Sequence, residues 1–189
     1  MFTATYLAQK FALAMPYAQY VRTGNEEQQR RWQQFHDRVA LTGAQRAFIG
    51  TFTREMKVLV VSGIWCGDCV EQCPLLQRIA EANPRIDLRF VDRDQQKDLS
   101  DQVKICGGSR VPVALFMAED HEFCGITGDR TLQRYRAIVA RQFGASCPTG
   151  LVPAGQEEVS LTLQDWLDDF ERIALMLRLS PRLRQKHGD

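Results

Sequence analysis

Two cysteines in the run Trp65-Cys66-Gly67-Asp68-Cys69 are the residues of this chain best placed to do chemistry. Two intervening residues let the second sulfur reach back and close a ring with the first. An apolar run, Val58-Leu59-Val60-Val61, leads into the pair through Ser62-Gly63-Ile64, and a helical pattern follows it. The pair therefore falls at a helix N-terminus. There the unpaired backbone N–H groups and the positive end of the helix dipole stabilise a thiolate on the first cysteine. The thiolate is the nucleophile of disulfide exchange. The expected roles are attack on a substrate disulfide by Cys66 and resolution of the mixed disulfide by Cys69.

The same pair also reads as half of a zinc knuckle, but a four-ligand site needs a second pair. The chain has no second Cys-x-x-Cys, and His36, His121 and His187 are isolated. This favours redox chemistry, with no metal and no organic cofactor expected. Cys73 lies four residues after Cys69 and shares a helix face with it. It reads as a small buried hydrophobe. An alternative disulfide, or a metal or iron–sulfur site on Cys66, Cys69 and Cys73, are its other readings. Cys106, Cys124 and Cys147 have no partner spacing and read as buried or incidental thiols. Gly107-Gly108 lacks the Lys-Ser/Thr pair and the preceding strand of a phosphate loop.

Periodicity gives the elements that must hold the pair in place. Residues 1–56 read as helical. Leu7, Phe11 and Ala14/Met15 recur at helical spacing until Pro16 breaks or restarts the turn. Thr23-Gly24-Asn25 offers a cap for a second helix, with Glu26 and Glu27 in its first turn and Trp32, Phe35 and Val39 on one face. Thr42 with Gln45 is a capping-box pattern opening a third helix, with Ala47, Phe48 and Phe52 expected inward.

The pattern changes at Lys57. Val58 to Val61 reads as a strand buried on both faces. Residues 67–82 read as a helix with Leu75, Leu76, Ile79 and Ala80 as its stripe. Residues 86–91 alternate like a strand, and 95–104 form a short polar helix. A strand over 113–117 turns at Glu119-Asp120 into a short partner over 122–125. Asp129 or Thr131 then opens a helix to about Phe143. Residues 144–159 read as a loop. A last amphipathic helix over 162–179 carries Leu163, Trp166, Phe170, Ile173 and Leu177, a stripe expected to pack on its own domain rather than on a partner. The basic tail reads as a solvated helix end. The order β-α-β-α-β-β-α over 57–143 implies an α/β fold, a mixed central sheet flanked by helices, with extra helices at the N- and C-termini.

On these residues the chain resembles the thioredoxin family. Trp65 directly precedes Cys66, and Pro74 lies five residues after Cys69, where the family has its kinking proline. Val111-Pro112 opens the next long strand at the place of the family's cis-proline. Asp92 and Asp94 follow the middle strand in the family manner. The likeness is to bacterial thioredoxin-like proteins with a Trp-Cys-Gly-Asp-Cys centre and added helices. It implies a thioredoxin-like core over 57–143, between a helical extension over 1–56 and a loop and C-terminal helix over 144–189. It further implies that Trp65 and Asp68 shape the site, that Val111 and Pro112 pair with substrate backbone, and that an upstream reductase supplies electrons. Arg110 stands either beside the sulfurs, raising the thiolate fraction, or on the surface.

Two departures matter. Thioredoxins carry a buried Asp six residues before the first cysteine, which helps move the proton of the second; here Val60 occupies that place. The residue before the second cysteine is usually Pro; here it is Asp68. Two roles are open to Asp68: complementing the helix N-terminus, or accepting the Cys69 proton. As a negative charge it also disfavours the Cys66 thiolate.

The 189 residues are 44% hydrophobic and 25% charged, an ordinary globular composition that argues for one domain over 1–189. Lys plus Arg number 24 and Asp plus Glu 23, a formal charge of +1. Such a balance gives no electrostatic reason to expect nucleic acid or an anionic membrane as partner. No apolar run approaches the roughly 18–20 residues that span a bilayer. Gln9 and Lys10 interrupt the first apolar stretch and no basic segment precedes it, so a cytoplasmic protein is expected. In that reducing compartment a Cys-x-x-Cys is catalytic or metal-binding rather than a structural disulfide. The expected function is a thiol–disulfide oxidoreductase that reduces protein or small-molecule disulfides. A metal or iron–sulfur protein and a non-catalytic interaction module on the same fold are the alternatives.

Overall fold

A computed structural model describes residues 2–143 and 158–189. Four short helices come first: α1 (Ala4–Leu13), α2 (Tyr17–Val21), α3 (Glu26–Arg38) and α4 (Gly43–Ile49). Asn25 and Thr42 cap α3 and α4 through reciprocal side-chain bonds with Gln28 and Gln45. These satisfy helix-start N–H groups that have no partner inside the helix. Then follow β1 (Met56–Ser62), α5 (Gly67–Glu81), β2 (Ile86–Asp92), α6 (Lys97–Gln102), β3 (Val113–Ala118), β4 (Phe123–Gly128) and α7 (Leu132–Phe143). The C-terminal part forms α8 (Glu158–Leu179) and α9 (Pro181–His187).

The sheet has the strand order β2-β1-β3-β4. β1 runs parallel to β2 and antiparallel to β3, and β3 is antiparallel to β4. This is the mixed sheet flanked by helices that the element order implied. β1 is central, and Val58 to Val61 are fully buried, as an uninterrupted apolar run requires. Outside β2, Met15 adds one bridge: it and Phe90 exchange backbone hydrogen bonds of 2.8 Å each. The turn around Pro16 thus ties the N-terminal helices to the sheet.

One continuous apolar cluster runs from Leu7 through Trp32, the strands and α5 to Trp166, Phe170 and Leu183. Trp32 and Trp166 are both fully buried. α3 and α8 both pack against α5, so the helix that carries the cysteines is gripped by elements from both ends of the chain.

Several expectations need correcting. In α4, Ala47 and Phe48 face solvent and Ile49 fills the core instead; Phe52, just beyond the helix, is buried as expected. The cap at Thr42 sets the helix phase, and α4 has only two turns in which to present a face. β4 extends to Gly128 rather than stopping at Gly125. α8 begins at Glu158, ahead of the Thr162 start; the rest of the loop over 144–159, with Cys147, lies outside the described residues. The basic tail is the exposed helix end expected at Arg182, Arg184 and Lys186, with partners the sequence did not mark. It forms α9, buries Leu183, and brings Arg182 to Asp120 and His187 to Glu119. No helix of the described residues is long and apolar enough to cross a membrane.

Trp166→Ala is expected to cost about 3–5 kcal/mol, the usual penalty for emptying a buried aromatic site. Urea unfolding followed by circular dichroism measures it. A single transition shifted to lower urea is the expected result, because α8 shares its core with α5.

Candidate active site at the start of helix α5

Cys66 is the N-cap residue of α5, with extended backbone (φ −80°, ψ 128°). Its N–H donates to the Gly63 carbonyl at 2.9 Å, closing the turn out of β1, and its own carbonyl accepts the first helical bond from Val70 at 3.0 Å. Cys66 is half-buried, whereas Cys69 is sealed from solvent. The Cys69 sulfur accepts the Gly63 N–H at 3.5 Å. Pro74 lies inside α5, where it has no N–H to offer the Val70 carbonyl.

The two sulfurs titrate as a pair. Hydrogen bonding to Cys69 and burial push the Cys66 thiol up, while the backbone N–H groups of Cys69 and Asp68 pull it down. Burial pushes the Cys69 thiol well above the usual range. The pair therefore holds its second proton tightly.

The peptide bond Val111–Pro112 is cis, and the Cys66 thiol faces the Val111 carbonyl at 3.7 Å. Trp65 is half exposed and folds its indole back on the turn. A methyl group at Gly63 would lie 2.8 Å from that ring, so only glycine fits there. The Arg93 guanidinium lies over the ring, 4.6 Å from its centre. Arg93 also donates to the Ser109 carbonyl at 2.9 Å, which links the end of β2 to the loop entering Pro112. Asp92 accepts the N–H groups of Asp94 (2.8 Å) and Gln95 (3.1 Å) and so shapes the turn that presents Arg93.

Asp68 points its carboxylate at two arginines. Arg130 meets one oxygen at 2.6 Å, and Arg134, on α7, meets the other at 3.1 Å. Burial alone would raise the Asp68 carboxyl, but these guanidiniums hold it below the usual carboxylate range. Arg110 is engaged by Asp129 at 3.4 Å. Asp129 is itself buried, and it also accepts the Tyr135 hydroxyl.

Sequence reasoning missed Arg93, Arg130 and Arg134, which are joined to the site only by tertiary folding. It also missed Trp32, whose indole N–H donates to the Ile64 carbonyl at 2.9 Å, two residues before Cys66. Gly24 packs so closely here that a methyl group would lie 2.7 Å from the Ile64 side chain. The N-terminal helices therefore brace the cysteine turn directly. Of the other described cysteines, Cys73 is buried, as expected. Cys106 is exposed, in a tight turn closed by Ile105 and Gly108, with φ +49° at Cys106 and +74° at Gly107. Among the described residues, no group of three or more His, Cys, Asp or Glu side chains is arranged to hold a metal ion.

A family model described as Thioredoxin matches residues 14–140. The matched stretch takes in α2 to α4 as well as the part over which the motif resemblance runs. Among solved structures, a protein of unknown function from Pseudomonas aeruginosa superposes with a TM-score of 0.68 at 18% identity, covering 91% of this chain and 99% of its own. An HIV epitope-scaffold superposes with a TM-score of 0.63 at 18% identity, over 84% and 96% of the two chains. These likenesses concern the fold. No curated protein sequence matches the chain.

The Asp68 pairing sets an acid limb on stability. A carboxyl lowered by folding stabilises the protein above its unfolded value of about 4, and that contribution fades as pH falls through the folded value. Asp68→Asn is therefore expected to be less stable than the parent at neutral pH, with the gap closing as pH falls below the unfolded value and through the lower folded one. Urea midpoints across that range measure it. A gap independent of pH would contradict the ion-pair account.

Proposed function

The chain belongs to the thioredoxin family, and we propose that it is a thiol–disulfide oxidoreductase which reduces protein or small-molecule disulfides through Cys66 and Cys69. The observation that carries this reading is the asymmetry of the pair. One sulfur belongs to the half-buried N-cap residue of α5, and the other is buried in the first turn behind it.

The Cys66 thiolate attacks a substrate sulfur, and the partner sulfur leaves as a thiolate that takes up a proton. Cys69 then attacks Cys66, the bond to the substrate breaks, and the substrate departs as a second thiol. Two electrons pass from the dithiol to the substrate, leaving a Cys66–Cys69 disulfide. A dithiol reductant, an upstream reductase or its carrier, must return them. In the cytoplasm, where this reading places the protein, such reductants are maintained.

The surroundings suit these steps. Trp65, next to Cys66 in the chain, packs near Gly63 and under the Arg93 guanidinium and offers an exposed apolar surface to substrate. Val111 and Pro112 lie opposite Cys66, where an extended substrate segment can pair with backbone. Arg110 flanks that segment. Asp68 takes the electrostatic role. A carboxylate gripped by two arginines is a weaker proton acceptor than a free one, and its charge on the Cys66 thiolate is largely offset by those same guanidiniums.

An aromatic disulfide that releases a coloured thiolate tests the reading. The reduced protein should release two equivalents from the Cys66–Cys69 pair, one fast and one slower, with mass mapping separating them from release by the exposed Cys106. Cys69→Ser should stop after the fast equivalent with a stable mixed disulfide on Cys66. Cys66→Ser should lose the fast phase entirely. Fast release retained by Cys66→Ser, with the label on Cys106 instead, would overturn the assignment.

A further inference from the structure

Which disulfides reach Cys66 depends on the charges around it. Asp68 opens the first turn of α5, and Asp129 is held against the same helix by Gln72, whose amide donates to the Asp129 carbonyl at 2.9 Å. Both carboxylates are largely buried, with 18% and 4% of their side chains exposed. Asp68 is shared by Arg130 and Arg134. Asp129 takes the Tyr135 hydroxyl, Arg130 at 3.6 Å and Arg110 at 3.4 Å. Two acids farther out are more exposed, and each has its own arginine: Glu71 meets Arg134, and Asp94 meets Arg93 at 3.0 Å.

Arg110 differs from these arginines. It precedes Val111, whose carbonyl faces the Cys66 thiol, so it stands one residue from the backbone that an extended substrate would pair with. Its side chain runs back along the loop: a methyl group on Gly108 would lie 3.5 Å from its Cγ and 3.6 Å from its Nε. Its head makes one long bond, from Nη1 to Asp129. Among the described residues Nε and Nη2 have no partner, and 43% of the side chain is exposed. A guanidinium is a planar fork of N–H donors that fits a carboxylate with two parallel bonds. Here one tip of the fork is anchored on a buried acid, and the rest is free beside the cis-proline.

Resting on the dithiol reading above, we propose that Arg110 is a specificity residue which selects disulfides carrying a carboxylate next to the reacting sulfurs. Its free N–H groups bind that carboxylate by charge-assisted hydrogen bonds. The bond holds the disulfide while the Cys66 thiolate attacks one sulfur. The new S–S bond forms as the old one breaks, and the second half leaves with the electron pair as a thiolate. Arg110 stays protonated throughout. Asp129 is a positioning residue, because it fixes the arginine without touching substrate. Its charge is divided among Arg110, Arg130 and the Tyr135 hydroxyl, so Arg110 keeps an attraction for an incoming anion.

Two small disulfides with coloured products test the selection: dithiobis(nitrobenzoate), which carries a carboxylate on each ring, and neutral dipyridyl disulfide. The second-order rate constant of the fast release is measured with both, and mass mapping confines the reading to Cys66. In Arg110→Gln the ratio of the two constants, dicarboxylate over neutral, should fall about three- to fivefold. Arg110→Lys, which keeps the charge without the fork, should recover part of it. Added salt should lower the ratio more steeply in the parent than in Arg110→Gln. An unchanged ratio in Arg110→Gln overturns the proposal, as does an equal slowing with both disulfides, which would make Arg110 a structural residue only. Release from Cys66 with neither disulfide contradicts the dithiol reading itself, and the proposal with it.

Discussion

A half-buried cysteine at the N-cap of a helix is the constraint from which the rest of this structure follows. The helix must begin at Cys66 and nowhere else. Its start must be held against the sheet, and the second sulfur must be kept dry behind the first. β1 ends at Ser62, Gly63 turns the chain, and the Cys66 N–H closes that turn on the Gly63 carbonyl. Trp32 fixes the Ile64 carbonyl from outside, and the Val111 carbonyl meets the Cys66 thiol from the opposite side. Each contact removes freedom from the turn, so the entropy of ordering it is met during folding rather than at each catalytic cycle.

The flanking helices are part of that arrangement. The N-terminal set brings Trp32 and Gly24 to the cysteine turn, and Tyr20 packs on the Trp32 ring behind them. α7 carries Arg134 to Asp68, and Glu158 at the head of α8 binds the same arginine at 2.9 Å. The charge beside the sulfurs is thus embedded in a chain of ion pairs reaching the C-terminal helices. An acid placed next to a reactive thiol would, uncompensated, suppress the thiolate. Here it is balanced by groups from a distant part of the sequence.

What the sequence disclosed, and what it hid, follows the range of the interactions. β1, α5 and α8 were legible because their signals are local: a β-branched run, a cysteine pair before an apolar stripe, a period of 3.6. The roles of Cys66 and Cys69 follow from that same local context, and the place of Pro112 came through the family resemblance. The partners of Asp68 were not legible, since Arg130 and Arg134 lie 62 and 66 residues away and nothing near them marks an anion. The Trp32 indole bond was hidden in the same way: a tryptophan on an amphipathic stripe announces burial, not the carbonyl its N–H will find. Phe48 misled because a two-turn helix has too little length for its stripe to fix which side faces inward. The tail's basic residues are exposed, as their charge suggested, but their pairing with Glu119 and Asp120 of the β3–β4 turn was not legible.

The central claim is that Cys66 and Cys69 form one two-electron couple poised to reduce. The most direct measurement is the reduction potential of that couple, by equilibration in defined thiol–disulfide buffers with mass mapping of the bridged sulfurs. The account predicts a single two-electron transition between Cys66 and Cys69 with a midpoint near about −270 mV, the range of thioredoxin itself. A midpoint of about −120 to −180 mV would mark an oxidant or isomerase, and a bridge that forms between other cysteines would remove the couple altogether; either result contradicts it.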